Sequence, residues 1–296
     1  MTLPTTAVYG VAACVALGTV AKGMWVQAIL LALSTLMMVE LNNSCVLIRI
    51  YSRMVSCSFL VLTLMASFLF PATEIGVFTL AFITFYVFFL RAYRNREAIA
   101  PIYTAFLALG IASIPYVGIF YFVPLFWLLM VIRLQAFSVK TFFASLLGLV
   151  TPYWFIAGYY VYVADYETPL RHFQELTDVE LQTIIHFPIA QNQLITLLFV
   201  VGLTITGISH FLRQGYMDKL RTQMIYELFM AVTLFTAVLL VLQSQHFGFL
   251  LSILIIHAAI FIGHFIALTR TKTTNIAFIA ILVLTLALTV YNFLCQ

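Results

Sequence analysis

Charge is scarce in this sequence. Only 8% of the 296 residues are Asp, Glu, Lys or Arg, against about a quarter in a soluble domain, so water cannot be the main solvent. Paired cysteines are also missing. Cys14, Cys45, Cys57 and Cys295 contain no C-x-x-C, which excludes a disulfide framework and leaves them as small, weakly polar packing residues. There is no phosphate-cradling glycine loop, nucleophile elbow or H-E-x-x-H. His172, His186, His210 and His246 are scattered, where a metal would need three or four ligands at suitable spacing. No metal site and no cofactor is expected. Nucleic-acid binding is not indicated either, because basic groups such as Arg91, Arg94 and Arg96 need only membrane topology and anionic lipid to explain them. Whether the chain is an enzyme stays open at this level.

What is abundant is apolar surface. The hydrophobic fraction is 64%, and it recurs in runs of roughly the 17–25 residues that cross a bilayer. The runs do not alternate as barrel strands do. The expected fold class is therefore all-α, a single polytopic transmembrane helical bundle covering residues 1–296, with about eleven spans. Reading apolar runs between charges, Pro and Gly places them at Thr5–Ala21, Met24–Val39, Met54–Phe70, Ile75–Leu90, Ala98–Ser113, Val117–Ile132, Phe143–Val163, Leu194–Phe211, Met224–Leu242, Phe247–Leu268 and Asn275–Leu294. The first two are short and joined by Lys22-Gly23, as two thin spans or a re-entrant pair. Val11-Ala12-Ala13-Cys14 fits the small-residue pattern before a lipidated cysteine. Yet nothing basic precedes it, and Met1–Gly10 holds Pro4 and three threonines in place of an apolar core. A cleaved targeting segment needs both features, so Cys14 is expected inside the first span.

Lys and Arg in short loops resist translocation, which tests this map. Arg49, Arg53, Arg91, Arg94, Arg96, Arg133, Lys140, Arg213, Lys219, Arg221, Arg270 and Lys272 fall on one side. Only Lys22 and Arg171 fall on the other, so twelve of fourteen cations agree. The N-terminus is expected in the cytoplasm and the C-terminus outside. Tyr116, Tyr121, Tyr159, Tyr160, Tyr162 and Tyr166 cluster at the expected outer interface, the depth amphipathic rings prefer; stacking on carbohydrate would use the same residues.

The outside loop at 164–193 is the long one. Thr168-Pro169 and Thr177-Asp178-Val179-Glu180 read as two helix starts, and Leu170, Phe173 and Leu176 share a face. Two short amphipathic helices on the outer surface are predicted. Five of the ten acidic residues lie here: Asp165, Glu167, Glu175, Asp178 and Glu180. Arg171, His172 and Glu175 place a cation, a base and an acid within one turn, the grouping that binds phosphate or protonates a leaving group. They are the candidate substrate-binding residues, although an ordinary surface helix has the same composition. Inside the spans, Glu227, His257 and His264 are ionisable groups that are costly in hydrocarbon. A Glu227–His264 contact is expected between neighbouring antiparallel helices, as a proton or cation relay or as a hydrogen bond that fixes packing.

The stretch from Arg49 to Leu176 resembles the membrane scaffold of the C-type glycosyltransferases, which use polyprenyl-phosphate sugars. The likeness lies in the turn at Pro71, the basic turn Arg91–Arg96, Leu109-Gly110-Ile-Ala-Ser113-Ile-Pro115, Phe122-Val-Pro124-Leu, the basic turn at Arg133, and Leu147-Gly148-Leu-Val-Thr-Pro152. That superfamily carries its catalytic acid in an outer loop after the first span. Here the connection is Ala21-Lys22-Gly23, without a carboxylate, so the resemblance implies substrate handling more readily than catalysis. In size and layout the chain is also similar to uncharacterised bacterial inner-membrane proteins. The expectation is a multi-pass protein of the bacterial inner membrane that binds or handles lipid-linked glycan or polyprenyl phosphate, with membrane lipids as partners. The alternatives are a transporter or flippase using Glu227, His257 and His264, and a non-enzymatic subunit partnered by other envelope proteins.

Overall fold

The computed structural model describes residues 23–164, 167–174, 176, 189–268 and 272–295. The first expected span and the second expected surface helix lie outside the described residues. The described residues are helical, with no strand among them: α1 Trp25–Cys45, α2 Met54–Met65, α3 Thr73–Phe89, α4 Ile99–Ala112, α5 Phe122–Leu129, α6 Val139–Val163, α7 Glu167–Gln174, α8 Gln191–Gln214, α9 Leu220–Leu242, α10 Phe247–Leu268 and α11 Lys272–Leu294. Short 3-10 or π turns lengthen α3, α5, α8 and α10. With these included, the described residues hold 8 helices long and apolar enough to cross a membrane.

The remaining expected spans each coincide with a helix, with two kinds of departure. The segment expected to be thin at Met24–Val39 is a 21-residue helix running on to Cys45, about 30 Å long at 1.5 Å per residue. Its last turns hold Glu40 and Asn42, which end an apolar run but not a helix. Glu40 accepts from Arg91 Nη2 at 2.7 Å and Asn42 Nδ2 donates to the Ser52 carbonyl at 2.8 Å, so each side chain is tied to a neighbouring segment. Conversely, the 12 residues of α2 and 14 of α4 reach only about 18 and 21 Å, less than the hydrocarbon thickness of about 30 Å. Beyond Met65, Asn292 Nδ2 from α11 donates to the Met65 carbonyl at 2.8 Å and to Thr196 Oγ1 at 2.9 Å. A carbonyl freed where a helix stops inside the bundle is thereby covered.

The core sits around α10. Every residue from Leu250 to Phe265 is buried, as expected of a helix apolar on all sides, and α2, α3, α8 and α9 pack around it. On its α3 side, Phe82, Phe85, Phe89, Phe106 and Phe126 form one cluster of rings, with Phe85 and Phe126 4.4 Å apart. By contrast α1, α6 and α11 turn exposed apolar faces outwards, with Ile29 and Leu36, Leu147 and Phe155, and Ile279 and Val283.

Lipid is as apolar as leucine, so helices in it associate by close packing of small residues. Gly110 of α4 and Gly148 of α6 show this. A Cβ on Gly110 would come within 2.8 Å of the Leu149 carbonyl, and one on Gly148 within 2.5 Å of the Tyr103 carbonyl. The two glycine-proline motifs therefore meet across one helix crossing.

The loops between helices sort to two ends. At one end Arg91 pairs with Glu40, Lys140 with Glu97, and Arg133 with Glu227, while the Arg94 N–H donates to the Leu134 carbonyl at 2.8 Å. At the other end Gln27 donates to Thr73 Oγ1 at 3.0 Å and Tyr116 to Gln243 Oε1 at 2.7 Å. The basic loops thus gather as the alternation of spans requires.

Candidate functional site

At the non-basic end, α7 lies against the last turns of α6. The surface helix expected at Thr168-Pro169 begins one residue earlier, at Glu167, and Pro169 falls in the first turn, where its missing N–H leaves no bond unmade. Phe173 from its apolar side rests on Tyr153 of α6, with centroids 5.4 Å apart, and on Phe120 at 6.4 Å. Between α7 and α6 opens a cleft of about 130 Å³, lined by Ile114, Tyr153, Ile156, Tyr160, His172 and Phe173 among others.

The polar side of this cleft is a chain of hydroxyls. Ser113 Oγ donates to the Gly110 carbonyl at 2.7 Å. Its only proton is thereby used, so the 2.8 Å contact with Tyr153 has the Tyr153 hydroxyl as donor. The oxygen of Tyr153 then accepts from His172 Nε2, across a longer 3.4 Å. Of the three residues singled out in the loop, His172 lines the cleft. Arg171 pairs with Glu167 at 3.3 Å on an exposed surface, where such a pair contributes about 0–1 kcal/mol. Glu175 lies outside the described residues.

No protein-family model, curated protein or solved structure matches this chain.

The tyrosines expected as interfacial anchors divide. Tyr159 and Tyr162 are exposed, as anchors are. Tyr116 is buried, stacked on Phe249 at 5.3 Å, and its hydroxyl donates to Gln243. A phenol can fill a core position when its hydroxyl finds a partner. Tyr121 donates its hydroxyl to the Leu176 carbonyl, tying the chain after α7 to the bundle.

The intramembrane residues are paired differently from the expectation. Glu227 does not face His264; it pairs with Arg133, both side chains about two-fifths exposed. Glu227 lies in the second turn of α9 and is drawn to the basic end, where a cation is within reach. His264 pairs with Asp218, Nε2 to Oδ2 3.0 Å, with side chains 1% and 2% exposed. Tyr226 packs against His264 with centroids 4.9 Å apart, and His210 at 5.6 Å. Among the described residues Asp218 Oδ1, Tyr226 Oη and His264 Nδ1 have no hydrogen-bond partner. Unpartnered polar atoms buried this close together are costly, which makes the cluster a candidate site. His257 stands apart from it, fully buried, its Nε2 2.8 Å from the Tyr86 hydroxyl. That bond pins α10 to α3.

Asp218 was absent from the sequence-based candidates because it falls between two spans. One signal was available: a single carboxylate in a loop otherwise basic, with Arg213, Lys219 and Arg221, is out of place by charge.

Proposed function

We propose that this chain is a multi-pass membrane protein that binds the headgroup of a lipid-linked sugar or polyprenyl phosphate in the cleft between α6 and α7. The reading places that cleft at the outer face of a bacterial inner membrane, as the distribution of cations expects. The observation that carries it is the pairing of clustered aromatic rings with a hydroxyl-imidazole chain in a cleft beside exposed apolar helix faces. Rings offer a flat apolar face to a sugar, the His172–Tyr153–Ser113 chain offers donors and acceptors to hydroxyl or phosphate oxygens, and the exposed face of α6 offers a track for a polyprenyl tail. The described residues that line the cleft include no Asp or Glu, and the reading is of binding and handling. In nanodiscs, purified protein is expected to retain a polyprenyl-phosphate sugar saturably, and His172→Ala with Tyr153→Phe to weaken retention about tenfold, which corresponds to about 1.4 kcal/mol. Retention unchanged in that double variant would sink the reading.

The buried His264–Asp218 pair favours a second reading, transport coupled to a proton or cation. Ionisable groups facing a bundle interior mark such pathways. Under it, Asp218→Asn and His264→Gln abolish a transport-dependent phenotype and leave lipid retention at the cleft intact.

A further inference from the structure

The basic end contains cations of two kinds. Arg91, Arg133 and Lys140 are each neutralised by a carboxylate of this chain, from Glu40, Glu227 and Glu97 respectively. Arg94 and Arg96 have no carboxylate partner among the described residues; Arg94 lies over the Tyr93 ring, 5.5 Å from its centroid. Both exposed arginines line one depression of about 870 Å³, together with Gln135, Val131 and Phe137.

The walls of this depression are built. Arg94 and Gln135 have φ of 56° and 54°, a left-handed conformation that non-glycine residues adopt only when their surroundings demand it. What demands it is visible. The Arg94 N–H donates to the Leu134 carbonyl at 2.8 Å, and Ser138 Oγ donates to the Arg96 carbonyl at 2.8 Å. The segment Met130–Leu134 is π-helical, a local widening frequent at functional sites. Two loops are thus locked together so that two guanidinium groups and a side-chain amide face one space.

Guanidinium groups recognise phosphate through paired N–H donors. The apolar flank decides which phosphate. Val131 and Phe137 are exposed at the rim, and the neighbouring Ile132 and Val139 are exposed too, a surface suited to acyl chains and not to a free anion. We propose that Arg94, Arg96 and Gln135 form a binding site for the phosphate headgroup of an anionic membrane phospholipid. The site is separate from the cleft between α6 and α7 and does not depend on its role.

The test measures lipid binding to the full chain in detergent micelles by native mass spectrometry, with phosphatidylglycerol, phosphatidylcholine and inorganic phosphate as probes. Phosphatidylglycerol is expected to bind in preference to phosphatidylcholine. Arg94→Gln with Arg96→Gln should weaken it about thirtyfold, from the typical contribution of two basic residues at a membrane surface. Lys219→Gln, which removes a charge at the same end away from the depression, should leave binding within about twofold. Gln135→Glu introduces a carboxylate without removing an arginine and should produce a comparable loss, which keeps the test intact where the double variant fails to fold. A loss of about fivefold or more in the Lys219 variant, the share of one charge out of two, would mean bulk charge and overturn the site. Inorganic phosphate competing at the lipid's own concentration would overturn its assignment to a lipid.

Discussion

At the scale of single residues, the polar side chains inside this chain divide by whether they are neutral links between helices or ionisable pairs. Asn292 spends its amide N–H groups on Met65 and Thr196, so its role is structural. Asn292→Leu is expected to lower the thermal midpoint in detergent, by an amount equivalent to about 1–2 kcal/mol, with no effect on ligand retention. Tyr86→Phe removes the one bond to His257 Nε2 and should destabilise by about 1 kcal/mol, again without touching the cleft. Asp218 differs because it is an ionisable group buried against a second one, His264. Asp218→Ala strips His264 of its partner, and breaking a buried pair on one side typically costs about 3–5 kcal/mol. Asp218→Asn keeps a hydrogen-bonding group in place and should be far milder in the same melt. A large loss of transport phenotype in Asp218→Asn, with the melt unchanged, would separate function from packing there.

At the scale of elements, the crossing of α4 and α6 is the contact on which the cleft depends. Gly110 and Gly148 let these helices approach until a Cβ on either would strike backbone. The same approach carries Ser113 to within 2.8 Å of Tyr153. Gly148→Leu should therefore separate the helices and break the hydroxyl chain together with the fold around it, an overpacking cost of about 1–3 kcal/mol or more. The expected result is a lowered melt together with lost lipid retention, while Gly202→Leu, where a Cβ meets nothing within 4 Å, should change neither. Pro152 in α6 contributes by the same geometry. It cannot donate to the carbonyl one turn back, and its ring packs where Gly110 leaves room.

At the scale of the whole molecule, the two ends are chemically unlike. One gathers the arginine loops with their partner carboxylates, and the other gathers the Tyr116–Gln243 bond and the α6–α7 cleft. If the arginine end faces the cytoplasm, then in a chain carrying Cys295→Ser Arg96→Cys should resist a membrane-impermeant thiol reagent in intact cells, and Tyr162→Cys should react. The reverse labelling pattern would invert the proposed orientation and move the cleft to the cytoplasmic leaflet.

Much of the architecture was legible in residue order alone. Helix in lipid is compulsory because backbone groups must bond internally, so apolar runs such as Phe247–Leu268 and Met224–Leu242 had to be helices, and the spacing of arginines had to sort the loops to two ends. His172 was legible too, since a proline-started amphipathic turn with a basic and an imidazole side chain stands out in a chain with little charge. Partners were not legible. Glu227 and His264 are at comparable depth by counting, yet Glu227 meets Arg133 and His264 meets Asp218, because rotation about each helix axis and the path of each loop are set by packing against neighbours. For the same reason Tyr116 proved to be core, and Tyr153 became the hub of the cleft without having been singled out. Periodicity says how long a helix is and which chemistry it carries; only the tertiary packing decides which side chains it brings face to face.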